Sequence, residues 1–247
     1  MKLEISSCYG LRTAGRLYKG LENQRRGSNM YKYETLKIEV DDRGVMSLLL
    51  NRPEKKNAIS STMISELTDA SEKIDFDKNV RVVVLGGVGD IFCAGGDLKE
   101  RNRMSDEKWH SQHLVYETMI RSIINCPIPL IGAINGAAYG GGCELTSALD
   151  FVYVSENAKF AQTEVNLGII PGIGGTQNLP RAIGEKKAKE LILSGKVFNA
   201  QEACQWGLAN KVFPKEVLLE KTLEIAKQIS EKGPIAVKQA KLAITKG

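Results

Sequence analysis

From Thr35 onward the chain changes, block by block, between two spacings of apolar residues. Thr35-Leu36-Lys37-Ile38-Glu39-Val40 alternates polar with apolar, which predicts a half-buried strand. Asp41-Asp42-Arg43-Gly44 reads as a turn, and residues 45–50 as the returning strand of a hairpin. Residues 51–58 read as a loop. Met63, Leu67, Ala70 and Ile74 then recur at helical spacing, with Ser60 or Ser61 as the N-cap. Residues 81–85 predict a buried strand, and Ser105 starts a long helix with the stripe Trp109, His113, Tyr116, Ile120, Ile123. Residues 131–134 and 151–154 read as further buried strands, with a helix over 144–149 between them. Residues 159–164 lead into a glycine-dense loop over 168–176, and the remainder after it reads as helical, with Ala188, Leu191 and Ile192 on one face and Leu218, Ile225 and Ile229 on another. A last amphipathic segment runs from Pro234 to Gly247. Strands alternating with helices predict the α/β class, in a body with no internal linker.

Two glycine-rich turns interrupt this pattern: Phe92-Cys93-Ala94-Gly95-Gly96-Asp97, and Asn135-Gly136-Ala137-Ala138-Tyr139-Gly140-Gly141-Gly142-Cys143-Glu144. Each follows an apolar run and precedes residues able to start a helix. Glycine at a strand end lets bare backbone approach a ligand, and the first N–H groups of a helix have no partner within it. Two such turns in one domain predict paired donors converging on one oxygen. Glu144 stands at the start of the helix after the second turn, and Glu164 lies twenty residues on, between Gln162 and Asn166. Two glutamates beside such donors would suit acid–base chemistry next to a carbonyl, although most glutamates are solvated surface groups.

Composition removes several other classes. The chain has 247 residues, 43% of them apolar, enough for one large core. No apolar stretch approaches the roughly 18 residues a membrane-spanning helix needs. Of the net charge of +5, most falls in residues 1–30, where six basic residues meet two acids, so the body is nearly neutral and gives no support to nucleic-acid binding. Cys8, Cys93, Cys126, Cys143 and Cys204 show no C-x-x-C or metal-ligand spacing and read as reduced thiols. The glycine-dense stretch 168–176 looks like a phosphate cradle but lacks the P-loop lysine. His113 reads as a packed core or rim residue rather than a base. Residues 1–30 read as an extension outside the body: a disordered tail, an organellar transit peptide, or leader ahead of a start at Met30.

From about Tyr33 to Gly247 the chain resembles the crotonase superfamily, and within it the enoyl-CoA hydratases. The matching stretches include Asn51-Arg52-Pro53 with Asn57-Ala58, both glycine turns, and Phe160-Ala161-Gln162-Thr163-Glu164. Leu167-Gly168-Ile169-Ile170-Pro171-Gly172, Gly174-Gly175-Thr176-Gln177, Leu179-Pro180-Arg181-Ala182-Ile183-Gly184 and Gly207-Leu208-Ala209 follow in order. The resemblance implies a spiral of ββα units, assembled as a homotrimer or homohexamer, and a cytoplasmic enzyme that hydrates 2-enoyl-CoA thioesters. It implies that the N–H groups of Gly96 and Gly141 form an oxyanion hole and that Glu144 and Glu164 are the catalytic pair. Ala94, Gly96, Asp97, Leu98, Lys99 and Gly141 would line the acyl-CoA substrate, with no metal or other cofactor. Relatives lacking one glutamate tend toward isomerase chemistry, so the pair favours water addition. An isomerase, a dehydratase working in reverse, or a catalytically weak acyl-CoA-binding protein are the alternatives. Relatives carry further helices beyond the point matching Gly247, so the C-terminal helical part is expected to be cut short. Leu98-Lys99-Glu100-Arg101 with Met104-Ser105 is also similar to methylglutaconyl-type hydratases, which implies a branched or acidic acyl group.

Overall fold

The computed structural model describes residues 30–247, and its first strands are the expected hairpin, β1 (Leu36–Val40) and β2 (Val45–Leu50), paired antiparallel. Ser60, not Ser61, caps α1 (Ser61–Phe76), its hydroxyl accepting from the Met63 N–H at 3.3 Å. The stripe Met63, Leu67, Ala70, Ile74 is buried, as the spacing requires. The chain continues through β3 (Val82–Gly87), β4 (Ile91–Cys93), the short α2 (Leu98–Arg101) and the long α3 (Asp106–Asn125). Next come β5 (Leu130–Ile134), β6 (Ala137–Tyr139), α4 (Gly141–Ala148), β7 (Phe151–Ser155), β8 (Lys159–Ala161) and a 3₁₀ turn at Glu164–Leu167. The last part is α5 (Gly175–Ile183), α6 (Glu185–Ser194), β9 (Phe198–Asn199), α7 (Ala200–Trp206), β10 (Lys211–Phe213), α8 (Lys215–Ser230) and α9 (Pro234–Lys246).

Two sheets result. The larger has the order β1-β2-β3-β5-β7-β10, parallel from β2 onward; the smaller has the order β4-β6-β8-β9, parallel except for β9. Each of the pairs β3/β4, β5/β6 and β7/β8 sends its first strand to the large sheet and its second to the small one, and helical structure follows. This is a spiral of ββα units. β3 and β5 are apolar throughout because parallel strands are covered on both faces. On one face α8 lays Leu218 and Ala226 against Val45, Val82, Val84, Ile131 and Ala133.

Three sequence expectations change. The glycine turns do not leave the long buried strands directly; they leave the short strands β4 and β6, which pair with each other. Three-residue strands are too short to show a period. The region after residue 176 is not wholly helical, since β9 and β10 lie within it. The front of the α3 stripe is not core: Trp109 is exposed and its ring stacks on His113, centroids 5.5 Å apart. Gln112 takes the buried position instead, its amide satisfied by the Ser61 hydroxyl at 2.8 Å. Among the described residues no helix is long and apolar enough to cross a membrane. The readings of residues 1–29, Cys8 included, fall outside the described residues. Cys93, Cys126, Cys143 and Cys204 are free thiols.

Candidate active site

The β4–β6 pairing sets the two turns side by side. Ahead of the first turn, Asn57 is fully buried and locks the 51–58 loop onto it: its Oδ1 accepts from the Arg52 N–H, and its Nδ2 donates to the carbonyls of Val88 and Ile91. Residues 56–59 then pair with residues 94–97. Ala94 donates to the Lys56 carbonyl, Ile59 to the Gly95 carbonyl and Asp97 to the Ile59 carbonyl. In a parallel ladder this leaves the residue between the bonded ones, Gly96, with its N–H facing away from Ile59.

On that far side stands Gly141, the first residue of α4. A methyl carbon placed on Gly141 would lie 3.7 Å from the Gly96 nitrogen, and one placed on Gly95 would lie 3.5 Å from the Gly141 nitrogen. Among the described residues neither N–H has a hydrogen-bond acceptor. The backbone at Gly140, φ 50° and ψ −121°, turns the chain from strand into helix there, a conformation side chains rarely tolerate. A side chain would also meet Glu164 Oε1, 3.1 Å from such a carbon.

Both glutamates are inside, Glu144 3% and Glu164 9% exposed. Glu144 Oε1 accepts the N–H groups of Ile173 at 2.9 Å and Gly175 at 2.8 Å. The glycine-dense loop at 168–176 is thus a cradle, but for a carboxylate of the protein itself. α5 has no side-chain cap, and the free N–H of its first residue, Gly175, serves Glu144. That absent cap was the available signal, and the sequence reading missed it. Glu164 opens the 3₁₀ turn after β8, and its Oε2 is buried with no hydrogen-bond partner. Burial pushes the Glu144 carboxyl up to about 7, against the Gly175 and Ile173 N–H groups, with the Glu164 charge adding to the rise. Burial raises Glu164 as well. The Cys93 thiol, fully buried beside the first turn, is pushed up to about 12, so it supplies no thiolate.

The remaining expected residues are only partly gathered. Gly96 supplies one of the donors, and Ala94, two residues before it, donates to the Lys56 carbonyl. Asp97 is turned inward: its carboxylate meets Arg52 at 3.1 Å and caps α2, while its N–H donates to the Ile59 carbonyl and its carbonyl accepts from the Glu100 and Arg101 N–H groups. Leu98 and Lys99 are exposed beyond it. Arg101 and Tyr116, by contrast, come within 3.3 and 3.4 Å of a methyl carbon placed on Gly96.

The Glu144 environment makes a stability prediction. Its folded pKa, about 7, lies above the value near 4.3 of a free glutamate. Between those values the folded protein binds more protons than the unfolded chain, so this group's contribution falls as pH rises. Glu144→Gln removes that slope while its amide oxygen still accepts both N–H groups. From pH 5 to pH 8 the variant should gain about 2–3 kcal/mol on the wild type, measured by urea unfolding at both values. Parallel pH profiles would show that the buried carboxyl titrates normally.

Comparison with known proteins agrees with this architecture. The enoyl-CoA hydratase/isomerase family profile matches residues 41–247. A crotonyl-CoA hydratase of Syntrophomonas wolfei is 39% identical over 216 residues, covering 87% of this chain and 83% of that protein. The mitochondrial methylglutaconyl-CoA hydratase of Mus musculus is 41% identical over 215 residues, covering 85% and 68%. The crystal structure of an enoyl-CoA hydratase from Bacillus anthracis superposes with a TM-score of 0.84 at 43% identity, covering 86% of this chain and 83% of that one. The chain belongs to the enoyl-CoA hydratase/isomerase family.

Proposed function

We propose that the protein is an enoyl-CoA hydratase, adding water across the 2,3 double bond of a trans-2-enoyl-CoA to give a 3-hydroxyacyl-CoA. The observation that carries this reading is the juxtaposition of two unclaimed backbone N–H groups with two buried carboxyls. The Gly96 and Gly141 N–H groups hold the thioester oxygen and draw electron density from C3. Glu144, its Oε1 held by two N–H groups, accepts a proton from water through its other oxygen as the water oxygen bonds to C3. The π pair moves to C2 and the enolate oxygen takes charge between the two donors. Glu164, whose Oε2 lacks any partner, carries the proton that bonds to C2. One proton has moved onto Glu144 and one has left Glu164, so the pair still shares a single proton and resets by exchange with water.

These steps call for no redox or metal chemistry. The acyl-CoA thioester is the partner, and a cytoplasmic setting with its free thiols suits the reading. Exposed apolar residues, among them Ile170, Leu193, Ile235 and Ile244, support assembly into a homotrimer or homohexamer. The test is the absorbance of crotonyl-CoA, which falls as hydration removes the conjugated double bond, with 3-hydroxybutyryl-CoA as product. Binding without turnover would make this an acyl-CoA-binding protein, and migration of the double bond without water uptake would make it an isomerase.

A further inference from the structure

Trp109, His113, Glu117 and Arg121 follow one another at four-residue spacing along α3 and form one row on its surface. Their side chains meet in order. The Trp109 ring lies nearly parallel to the His113 ring, with 7° between the planes. One turn on, Glu117 Oε1 stands 3.5 Å from His113 Nε2, and its other oxygen accepts from Arg121 at 2.9 Å. Held from both sides, the imidazole faces the 168–176 loop. Its Cε1 lies 2.5 Å from a methyl carbon placed on Gly172, with Nδ1 at 3.4 Å and Nε2 at 3.5 Å, so the ring rests edge-on against bare backbone. That backbone carries the Ile173 N–H, which bonds Glu144 Oε1 at 2.9 Å. Little else fixes the segment. Among the described residues, 170–172 make no hydrogen bond, whereas Gly168 and Ile169 before them and Gln177 and Asn178 after them are bonded along the backbone. Pro171 is buried and fixes its own φ, but a glycine follows it, the residue with the most freedom to turn.

We propose that His113 is a positioning residue for this site: its ring, seated on Gly172, fixes the loop that presents the Ile173 N–H to Glu144. The inference rests on the hydratase reading for the task of Glu144, but its own content is the contact between α3 and the loop. The ring acts by shape, since it gives the loop no hydrogen bond. Without it the loop is free to carry the Ile173 N–H away from Oε1, and a displacement of about 1 Å can cost a hundredfold in rate.

Substitutions in the full chain test this. His113→Ala should lower kcat for crotonyl-CoA by about 10- to 100-fold, with KM changed by less than about threefold. Losing a donor that favours the charged carboxyl also raises Glu144. The acid limb of kcat/KM should therefore lie about one pH unit higher, the worth of one hydrogen bond. His113→Phe, a flat ring without titrating nitrogens, should recover most of both losses. Gly172 is outside the left-handed region, so Gly172→Ala strains no backbone, and the nearest atoms to its methyl all belong to the His113 ring. Gly172→Ala should thus cost more kcat in the wild type than in His113→Ala. The other charges that act on Glu144, those of Glu164 and Arg101, stay in place in every variant. Carbon-13 titration of the glutamate carboxyls, with the Glu144 signal assigned by its loss in Glu144→Gln, reads the same shift without turnover. If the wild type leaves crotonyl-CoA unhydrated, only the hydratase reading fails, and a raised Glu144 titration in His113→Ala still supports the contact. A His113→Ala protein that melts early but keeps the wild-type Glu144 titration overturns the inference, because the histidine would then serve folding alone. So does a His113→Phe protein matching His113→Ala, which would assign the effect to charge, and so does an equal cost of Gly172→Ala in both backgrounds.

Discussion

Glu164→Gln should lower kcat for crotonyl-CoA by two to four orders of magnitude, the span of a general acid–base contribution, with KM changed by less than about threefold. The substitution is nearly isosteric, and its expected cost falls on chemistry rather than folding. Glu164 Oε2 has no hydrogen-bond partner to lose, and burial already favours the uncharged carboxyl. The amide keeps the shape but cannot hand a proton to C2. Glu144→Gln should also abolish water activation, yet it differs in one measurable respect. Because burial raises the Glu144 carboxyl to about 7 in spite of its bonds from the Ile173 and Gly175 N–H groups, its replacement changes the pH dependence of stability, whereas Glu164→Gln should change it less. A Glu164→Gln enzyme retaining near wild-type kcat would remove this residue from the mechanism. The proton for C2 would then come from solvent or from Glu144 alone.

What was legible in the sequence follows from how many residues each signal spans. The β1–β2 hairpin and the α1 stripe are long enough for a period, and both are found with their faces as expected. The two turns announced themselves because glycine clusters are rare in the middle of a strand–helix pattern. The strands β4, β6 and β8 were not legible, since three residues cannot show alternation, yet β4 and β6 are what bring Gly96 and Gly141 together. The acceptor served by the 168–176 loop was not legible for a related reason. Glycine density reports free N–H groups but not their acceptor, and the acceptor, Glu144, lies 29 residues from Ile173 in the chain. Arg101 was legible only as part of Leu98-Lys99-Glu100-Arg101, a stretch too short to show where its side chain lies. Its place beside Gly96 depends on α2 ending where it does and on the Tyr116 ring crossing behind it.

Gly142→Ala tests whether the site's geometry depends on that close contact between strand and helix. A methyl carbon on Gly142 would lie 2.3 Å from the Cys93 carbonyl oxygen and 3.0 Å from its carbonyl carbon. The obstruction is backbone, so no rotamer relieves it, and either α4 or the end of β4 must move. Gly141 begins α4, and Gly96 lies three residues beyond Cys93. The forced displacement therefore separates the two N–H donors directly. Overpacking of this kind costs about 1–3 kcal/mol, which for a body of this size lowers Tm by roughly 3–10 °C. Activity should suffer more than stability. Losing one oxyanion donor costs about 10²–10³ in kcat, and a shift near 1 Å can cost a hundredfold. Gly233→Ala is the matched control, because there the nearest atom to the added carbon is 3.9 Å away. If Gly142→Ala were to melt early but turn over crotonyl-CoA at the wild-type rate, the donors would be positioned by something other than the contact of α4 with β4. Gly96 and Gly141 would then be adjacent without acting as a pair.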